Sequence, residues 1–202
     1  MLIALVNRDT PDEVWILGDL FHLSVHQMGY PLAQLERLQS AIPAHIVIMT
    51  GNHDADILQK SVQRFSSDHL EVVVTPFVKL VHAAGSIPRG GFGGEALPPA
   101  EGDPLLTTSS TIWLTHDGGN PTWLSEAECI PYLENIRTCW GIPRADILLT
   151  GHTHRVIVSE QGKTRSLGVW NIPGHGDTLN YTYARIVAGM SEFQVKFCHV
   201  KP

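Results

Sequence analysis

Short apolar runs that end directly in glycine or polar residues are the feature that most constrains the fold of this chain. Runs of this length, bounded by turn residues, are typical of buried strands, in which both faces of the sheet are covered. Five such runs are found, and they are Val14 to Leu17, Ile46 to Met49, Val72 to Val74, Ile112 to Leu114 and Ile147 to Leu149.

Amphipathic segments separate these runs. Residues Pro31 to Ser40 place leucines at helical spacing after a helix-starting proline, which predicts a helix. Residues Ser125 to Trp140 begin with Ser125 and Glu128 in capping-box spacing and continue with an apolar face, which predicts a second helix. Strands that alternate with helices indicate an α/β fold.

The last fifty residues have a different pattern. Residues Arg155 to Ser159 and Thr164 to Val169 flank Gln161-Gly162 and predict a hairpin, and two alternating segments, Tyr181 to Val187 and Phe193 to His199, predict further strands. A strand-rich end after the α/β part predicts a sandwich with mixed sheets.

The segment from Gly85 to Pro104 is rich in glycine and proline and predicts a long loop. Two interpretations of it remain open. The loop is either a surface excursion without function or a lid that carries Arg89 over a phosphate group.

Composition limits the class of protein. A chain of 202 residues is long enough for one buried domain. Its net charge of -6 argues against nucleic acid or an anionic membrane as a partner, since both attract a basic surface. Three widely spaced cysteines, without a C-x-x-C pair, indicate reduced thiols. No apolar stretch reaches the length of a membrane span, so the sequence predicts a cytoplasmic protein.

Polar motifs follow four of the apolar runs directly. Open α/β folds place their ligands at the carboxyl ends of the strands, so these motifs are expected to converge. They are Gly18-Asp19, Gly51-Asn52-His53-Asp54, His116-Asp117-Gly118-Gly119 and Gly151-His152-Thr153-His154.

The donor atoms of these motifs are oxygen and imidazole nitrogen, with no thiolate. Such a set suits manganese, iron, zinc or nickel. Two such ions about 3.5–4 Å apart activate a hydroxide and stabilise an in-line displacement at phosphorus.

In this order, the motifs resemble those of the calcineurin-like metallophosphoesterase family, over about Val14 to Val187. The resemblance implies a four-layer α-β-β-α sandwich with two mixed sheets. It also implies a site with two divalent metal ions, manganese first, and a bridging hydroxide that attacks the phosphoester.

Roles for individual residues also come from the resemblance. It implies that Asp19 bridges both ions and that His154 binds the first. The second ion is then bound by Asn52, His116 and His152. His53 matches the histidine that contacts the phosphate and protonates the leaving oxygen, and Asp54 matches the acid that orients this histidine.

The chain departs from the family pattern in one motif. The family begins with a strand that ends in Asp-x-His, and no aspartate of this chain has a histidine two places later. One interpretation is that the chain begins after this motif, so that Met1 to Val6 is the end of a crossover helix. The other makes Met1 to Val6 a degenerate first strand, but too few residues separate it from Val14 for a parallel crossover. We expect the first.

Without the Asp-x-His pair, the first ion keeps only Asp19 and His154 as ligands. His22 and His26, four residues apart, could replace the missing ligands if a helix carries them, and otherwise they are surface residues. His175 lies in a glycine-rich turn and is open to either interpretation.

The predicted function is hydrolysis of a small phosphorylated substrate or nucleotide by a metal-dependent phosphoesterase. The alternative is a non-catalytic scaffold or binding module with the same fold. A nuclease is disfavoured by the acidic charge. The substrate does not follow from these motifs, although Trp123 could stack on a base or sugar.

Overall fold

A computed structural model describes residues 2–21, 29–54, 58, 69–73, 77–81, 107–116, 126–153, 156–159, 163–167 and 182–199. The chain forms two compact units, Met1–Pro76 and Phe77–Pro202. Among the described residues, no helix is long and apolar enough to cross a membrane.

The described residues of the first unit include a three-stranded parallel sheet and two helices. Its described elements, in chain order, are α1 (Leu2–Asp9), β1 (Glu13–Leu17), α2 (Gly29–Ala41), β2 (His45–Met49) and β3 (Leu70–Val73). Strand β2 lies between β1 and β3 and pairs with both in parallel. Its last four residues are all buried, which is the burial expected of a central parallel strand.

Both helices of this unit contribute to one apolar core. Val6 of α1 and Leu35 of α2 belong to the same buried cluster as Ile46 and Ile48 of β2. The helix at Leu2–Asp9 confirms the helical interpretation of the first residues. The alternative, in which they form a degenerate strand, is wrong.

The second unit contains two sheets and a long helix. Its described elements are β4 (Val78–Val81), β5 (Thr107–Ser109), β6 (Thr111–Thr115), α3 (Glu126–Cys139), β7 (Ile147–Thr150), β8 (Val156–Val158), β9 (Thr164–Leu167), β10 (Thr182–Ala188) and β11 (Phe193–His199). One sheet has the strand order β4-β6-β7-β9-β8, and the other has the order β10-β11-β5.

The five-stranded sheet is mixed. Strands β6, β7 and β9 are parallel, whereas β4 and β8 pair antiparallel with their neighbours. Helix α3 packs on one face of this sheet, where Leu133 and Ile136 belong to one buried cluster with Trp113 and Leu148. On the other face, the guanidinium carbon of Arg165 lies 3.6 Å from the ring centre of Phe197 in the three-stranded sheet.

These observations confirm the α/β class with mixed sheet pairing. The described strands form three sheets, and the four-layer order of the whole chain stays a prediction, as does its single domain. The five strand predictions and both helix predictions are confirmed, as are the last two strands. Strands β8 and β9 pair antiparallel as the predicted hairpin requires, while the turn at 161–162 and the loop at 85–104 lie outside the described residues.

The end of α3 is closed by a glycine in a left-handed conformation. Gly141 has φ 62°, and its N–H donates to the carbonyl of Thr138 at 3.1 Å, while the N–H of Ile142 donates to the carbonyl of Arg137 at 2.9 Å. This pair of hydrogen bonds is the Schellman motif, which satisfies the last carbonyls of a helix.

Arg137 links this helix end to the neighbouring strands. Its side chain is 4% exposed and donates to the carbonyls of Pro143 at 2.6 Å, Asp146 at 3.0 Å and Lys163 at 3.1 Å, and to the hydroxyl of Thr164 at 3.0 Å. Burial lowers the pKa of the guanidinium below its ordinary value, against the opposing effect of nearby carboxylates. The arginine therefore satisfies carbonyls in the segment before β7 and in the residue before β9.

Replacing Arg137 with methionine should destabilise the second unit by about 3 kcal/mol, because three backbone carbonyls lose a charged donor in a buried place. Guanidinium denaturation followed by circular dichroism measures this. The matched control is Arg144→Met, because Arg144 is exposed and its loss should change the stability by less than about 0.5 kcal/mol. Equal unfolding midpoints for the two variants would contradict the assignment.

Candidate functional site

The parallel pairing of β1 with β2 places two of the predicted motifs at the same edge of the sheet. Leu17 pairs in register with Met49, so the chain leaves both strands at the same level. Gly18-Asp19 follows the first strand and Gly51 to Asp54 follows the second. The two turns are therefore neighbours because of the strand register, and not because of any local preference of their own.

Two carboxylates fasten these turns to each other, each by accepting a backbone N–H from the other turn. Oδ1 of Asp19 accepts from the N–H of His53 at 2.9 Å. Oδ2 of Asp54 accepts from the N–H of Phe21 at 3.2 Å, and its Oδ1 accepts from the N–H of Gly51 at 2.8 Å. These five residues are called the aspartate clasp below.

The carboxylate of Asp54 in the aspartate clasp is shielded from solvent. Asp54 is fully buried, and a buried carboxylate is stable only where it is well hydrogen-bonded. The side chains of Asn52 and His53 are by contrast exposed. The clasp therefore fixes the backbone of this turn while it leaves two polar side chains outside the core.

Position 51 has no room for a side chain, so it requires glycine. A Cβ atom there would lie 2.0 Å from Oδ1 and 2.4 Å from the backbone nitrogen of Asp19. The turn of Asp19 is itself unusual, since Gly18 has φ 79° and Asp19 has φ 50°. An aspartate adopts this left-handed conformation more readily than most residues, and the cost for an L-residue is about 1–2 kcal/mol.

The second unit repeats this arrangement with histidines. Strands β6 and β7 are parallel, and Thr115 pairs in register with Thr150. His116 and Gly151-His152 therefore leave the sheet at the same edge. His152, like Asp19, has a left-handed backbone, with φ 64°. Non-glycine residues in this conformation are found preferentially at functional sites.

The two imidazole rings converge. Nε2 of His116 lies 3.2 Å from Nδ1 of His152, and the rings meet edge to face with centres 5.1 Å apart. His116 is buried and His152 is partly buried. An N–H···N hydrogen bond has the same length, so the distance alone fits either a shared proton or a shared cation.

A divalent cation fits this pair. Two nitrogens bound about 2.1 Å from one ion are about 3.0 Å apart at a right angle and about 3.4 Å apart at the tetrahedral angle. The observed separation of 3.2 Å lies between these limits. Imidazole is a ligand of zinc, iron, nickel and manganese alike, so the donor type is also suitable.

The structure thus groups the predicted site residues by unit. Asp19, Asn52, His53 and Asp54 share one edge of the first sheet, and His116 and His152 share one edge of the second. His154, the remaining predicted ligand, lies outside the described residues, as do the other candidates, His22, His26, Arg89, Trp123 and His175.

Sequence reasoning missed two features of the site. It assigned Asp54 to the orientation of His53, a role that stays a prediction, and did not foresee that this carboxylate accepts the backbone N–H groups of Gly51 and Phe21. It also missed the contact between Gly51 and Asp19. The sequence signal for the contact between Gly51 and Asp19 was the glycine directly before Asn-His-Asp. That signal does not name the partner, because the contact joins turns more than thirty residues apart in the chain.

Comparison with known proteins gives a family match. A family model described as calcineurin-like phosphoesterase matches residues 1–156. None of the curated proteins matches the chain.

A solved structure similar to this chain is described as a novel archaeal phosphodiesterase. It is 14% identical, with a TM-score of 0.48, and the match covers 97% of this chain and 88% of the other.

Replacing Gly51 with alanine should lower the stability of the first unit by about 3 kcal/mol, because the added Cβ would displace the carboxylate or the backbone of Asp19. Chemical denaturation measures the loss, and amide hydrogen exchange at His53 should rise as its acceptor moves. Gly141→Ala is the control, since nothing lies within 4 Å of a Cβ there and only the left-handed φ costs about 1 kcal/mol. The close approach is refuted if the two variants unfold alike.

Proposed function

Since the chain belongs to the calcineurin-like phosphoesterase family, and is by that membership a hydrolase of phosphoester bonds, we propose that it acts on a small phosphorylated substrate with two divalent metal ions. The observation that carries this proposal is the convergence of His116 and His152, whose ring nitrogens lie 3.2 Å apart at the carboxyl ends of adjacent parallel strands. This separation suits two ligands of one ion.

The proposed ligands are those that the family resemblance names. His116, His152 and Asn52 bind one ion, His154 binds the other, and Asp19 is a ligand of both. When bound, the ions supply a nucleophile by lowering the pKa of water and neutralise charge on the phosphoryl oxygens. Manganese is the first candidate, with iron, zinc or nickel as alternatives.

The ligand count differs between the two ions. The chain contains no Asp-x-His sequence, so the ion bound by His154 has only Asp19 as its second named ligand. The ion bound by His116 and His152 has the full set. The experiments below therefore address the ion that His116 and His152 would hold.

His53 is proposed as the proton donor. Its N–H donates to Asp19 at 2.9 Å and its side chain is exposed, so the ring is accessible to a substrate and its backbone is held by a proposed metal ligand. Hydrolysis forms one P–O bond and breaks another. The leaving oxygen takes a proton, which the imidazolium of His53 can donate.

Metal content and activity together test this function. Purified protein with added Mn²⁺ should hydrolyse p-nitrophenyl phosphate or bis(p-nitrophenyl) phosphate. His116→Ala should remove most of the bound metal and lower kcat/KM by more than about 100-fold, because one ligand of the fuller site is lost. His53→Gln should lower kcat about 100-fold or more and leave the metal content unchanged, since it removes a proton donor only.

The control is His45→Gln. His45 lies at the start of β2, at the opposite end of the strand from Gly51, and its Nε2 lies 3.8 Å from a carboxylate oxygen of the exposed Glu71. This variant should match the wild type in metal content and rate. A wild-type protein that takes up no Mn²⁺, Zn²⁺, Fe²⁺ or Ni²⁺, or that loses neither metal nor activity with His116→Ala, would refute the proposed site.

A further inference from the structure

His152 is held in an unfavourable backbone conformation, and the residues on both sides of it are tied down. Its φ of 64° lies in the left-handed region, which is uncommon for residues other than glycine, although histidine adopts it more readily than most. On the preceding side, the N–H of Gly151 donates to the carbonyl of Thr115 at 3.1 Å. This bond extends the pairing of β6 with β7 up to the histidine.

On the C-terminal side of His152, a side-chain hydrogen bond also holds the turn against the sheet. The hydroxyl of Thr153 is hydrogen-bonded to the hydroxyl of Ser166 in β9, and the N–H of Thr153 donates to the carbonyl of Gly151 at 2.8 Å. The hydroxyl of Ser166 also lies 3.5 Å from that carbonyl. The short turn that carries His152 is thus fastened to a third strand through one hydroxyl pair.

Both members of the pair are buried. Thr153 is 1% exposed and Ser166 is fully buried, so neither hydroxyl can exchange its partner for bulk water. Burying a hydroxyl without a partner is costly. The hydrogen bond between the two hydroxyls therefore contributes to holding the turn against β9.

Strand register places Ser166 beside the turn. Thr115, Thr150 and Ser166 pair in register across the parallel strands β6, β7 and β9, and residues in register on parallel strands point to the same face. All three are fully buried. A buried hydroxyl-bearing residue is thus present at the same level of each of the three strands.

We propose that Thr153 and Ser166 are positioning residues, which hold His152 in the orientation that lets its ring share a cation with His116. The proposal rests on the proposed function of this site. Partners that orient a ligand contribute to metal affinity without touching the ion, and their loss costs about 10–100-fold in affinity.

The test is Zn²⁺ affinity of the full chain, measured by competition with a chromophoric chelator. Thr153→Val keeps the shape of the side chain and removes its hydroxyl, and it should weaken Zn²⁺ binding about 10–100-fold. Ser166→Ala should weaken it to a similar extent, and the double variant should be little worse than either single one, because both remove the same bond. Thr153→Ser retains the hydroxyl and should restore most of the affinity.

Thr150→Val is the matched control. Thr150 is a fully buried threonine at the end of β7, close in sequence to Thr153. Its hydroxyl has no hydrogen-bond partner among the described residues. The same change from threonine to valine at this position should leave Zn²⁺ affinity within about twofold of the wild type. It removes a buried hydroxyl just as Thr153→Val does.

The remaining outcomes contradict either the positioning role or the proposed metal site. If Thr153→Val binds Zn²⁺ as the wild type does, or if Thr150→Val weakens binding as much, the positioning role is wrong while the proposed metal site stands. If the wild type binds no Zn²⁺, or His152→Ala does not weaken binding, the proposed site fails and the positioning role fails with it.

Discussion

In-register parallel pairing is the constraint on which the candidate site depends. Parallel strands leave the sheet at the same edge, and here the pairs β1–β2 and β6–β7 end at matched residues, Leu17 with Met49 and Thr115 with Thr150. Every described residue with a proposed role follows one of these four strand ends within five positions, except Ser166, which lies in β9. A shift of either register would separate the partners of the aspartate clasp or of the histidine pair.

Backbone strain accompanies this arrangement at two proposed ligands. Asp19 and His152 both adopt left-handed φ values. Asp19 accepts the N–H of His53 from the other turn, and Thr153, the residue after His152, is hydrogen-bonded to Ser166 in β9. Local sequence does not favour such conformations, so tertiary contacts must hold them. The stability of the surrounding sheets thus supports a geometry that the turns would not adopt alone.

The sequence did not predict the two edge strands β4 and β5. Strand β5 consists of Thr107–Ser109, a polar run with no apolar pattern, and it forms a strand because it pairs with β11. Strand β4 includes Lys79 and an exposed Val81. Neither was predicted, because edge strands receive much of their stabilisation from partners that local pattern does not reveal.

The sequence by itself determined the main strands, the helices at Pro31 and Glu126, and the order of the motifs at the strand ends, because short apolar runs and turn residues carry these signals locally. It also identified the residues whose donor atoms suit a divalent metal. Tertiary structure alone decided that Asp54 accepts the N–H of Phe21, that Gly51 must lack a side chain, and that Ser166 holds the turn of His152. These contacts join residues between 13 and 33 positions apart, and only the strand register brings them close together.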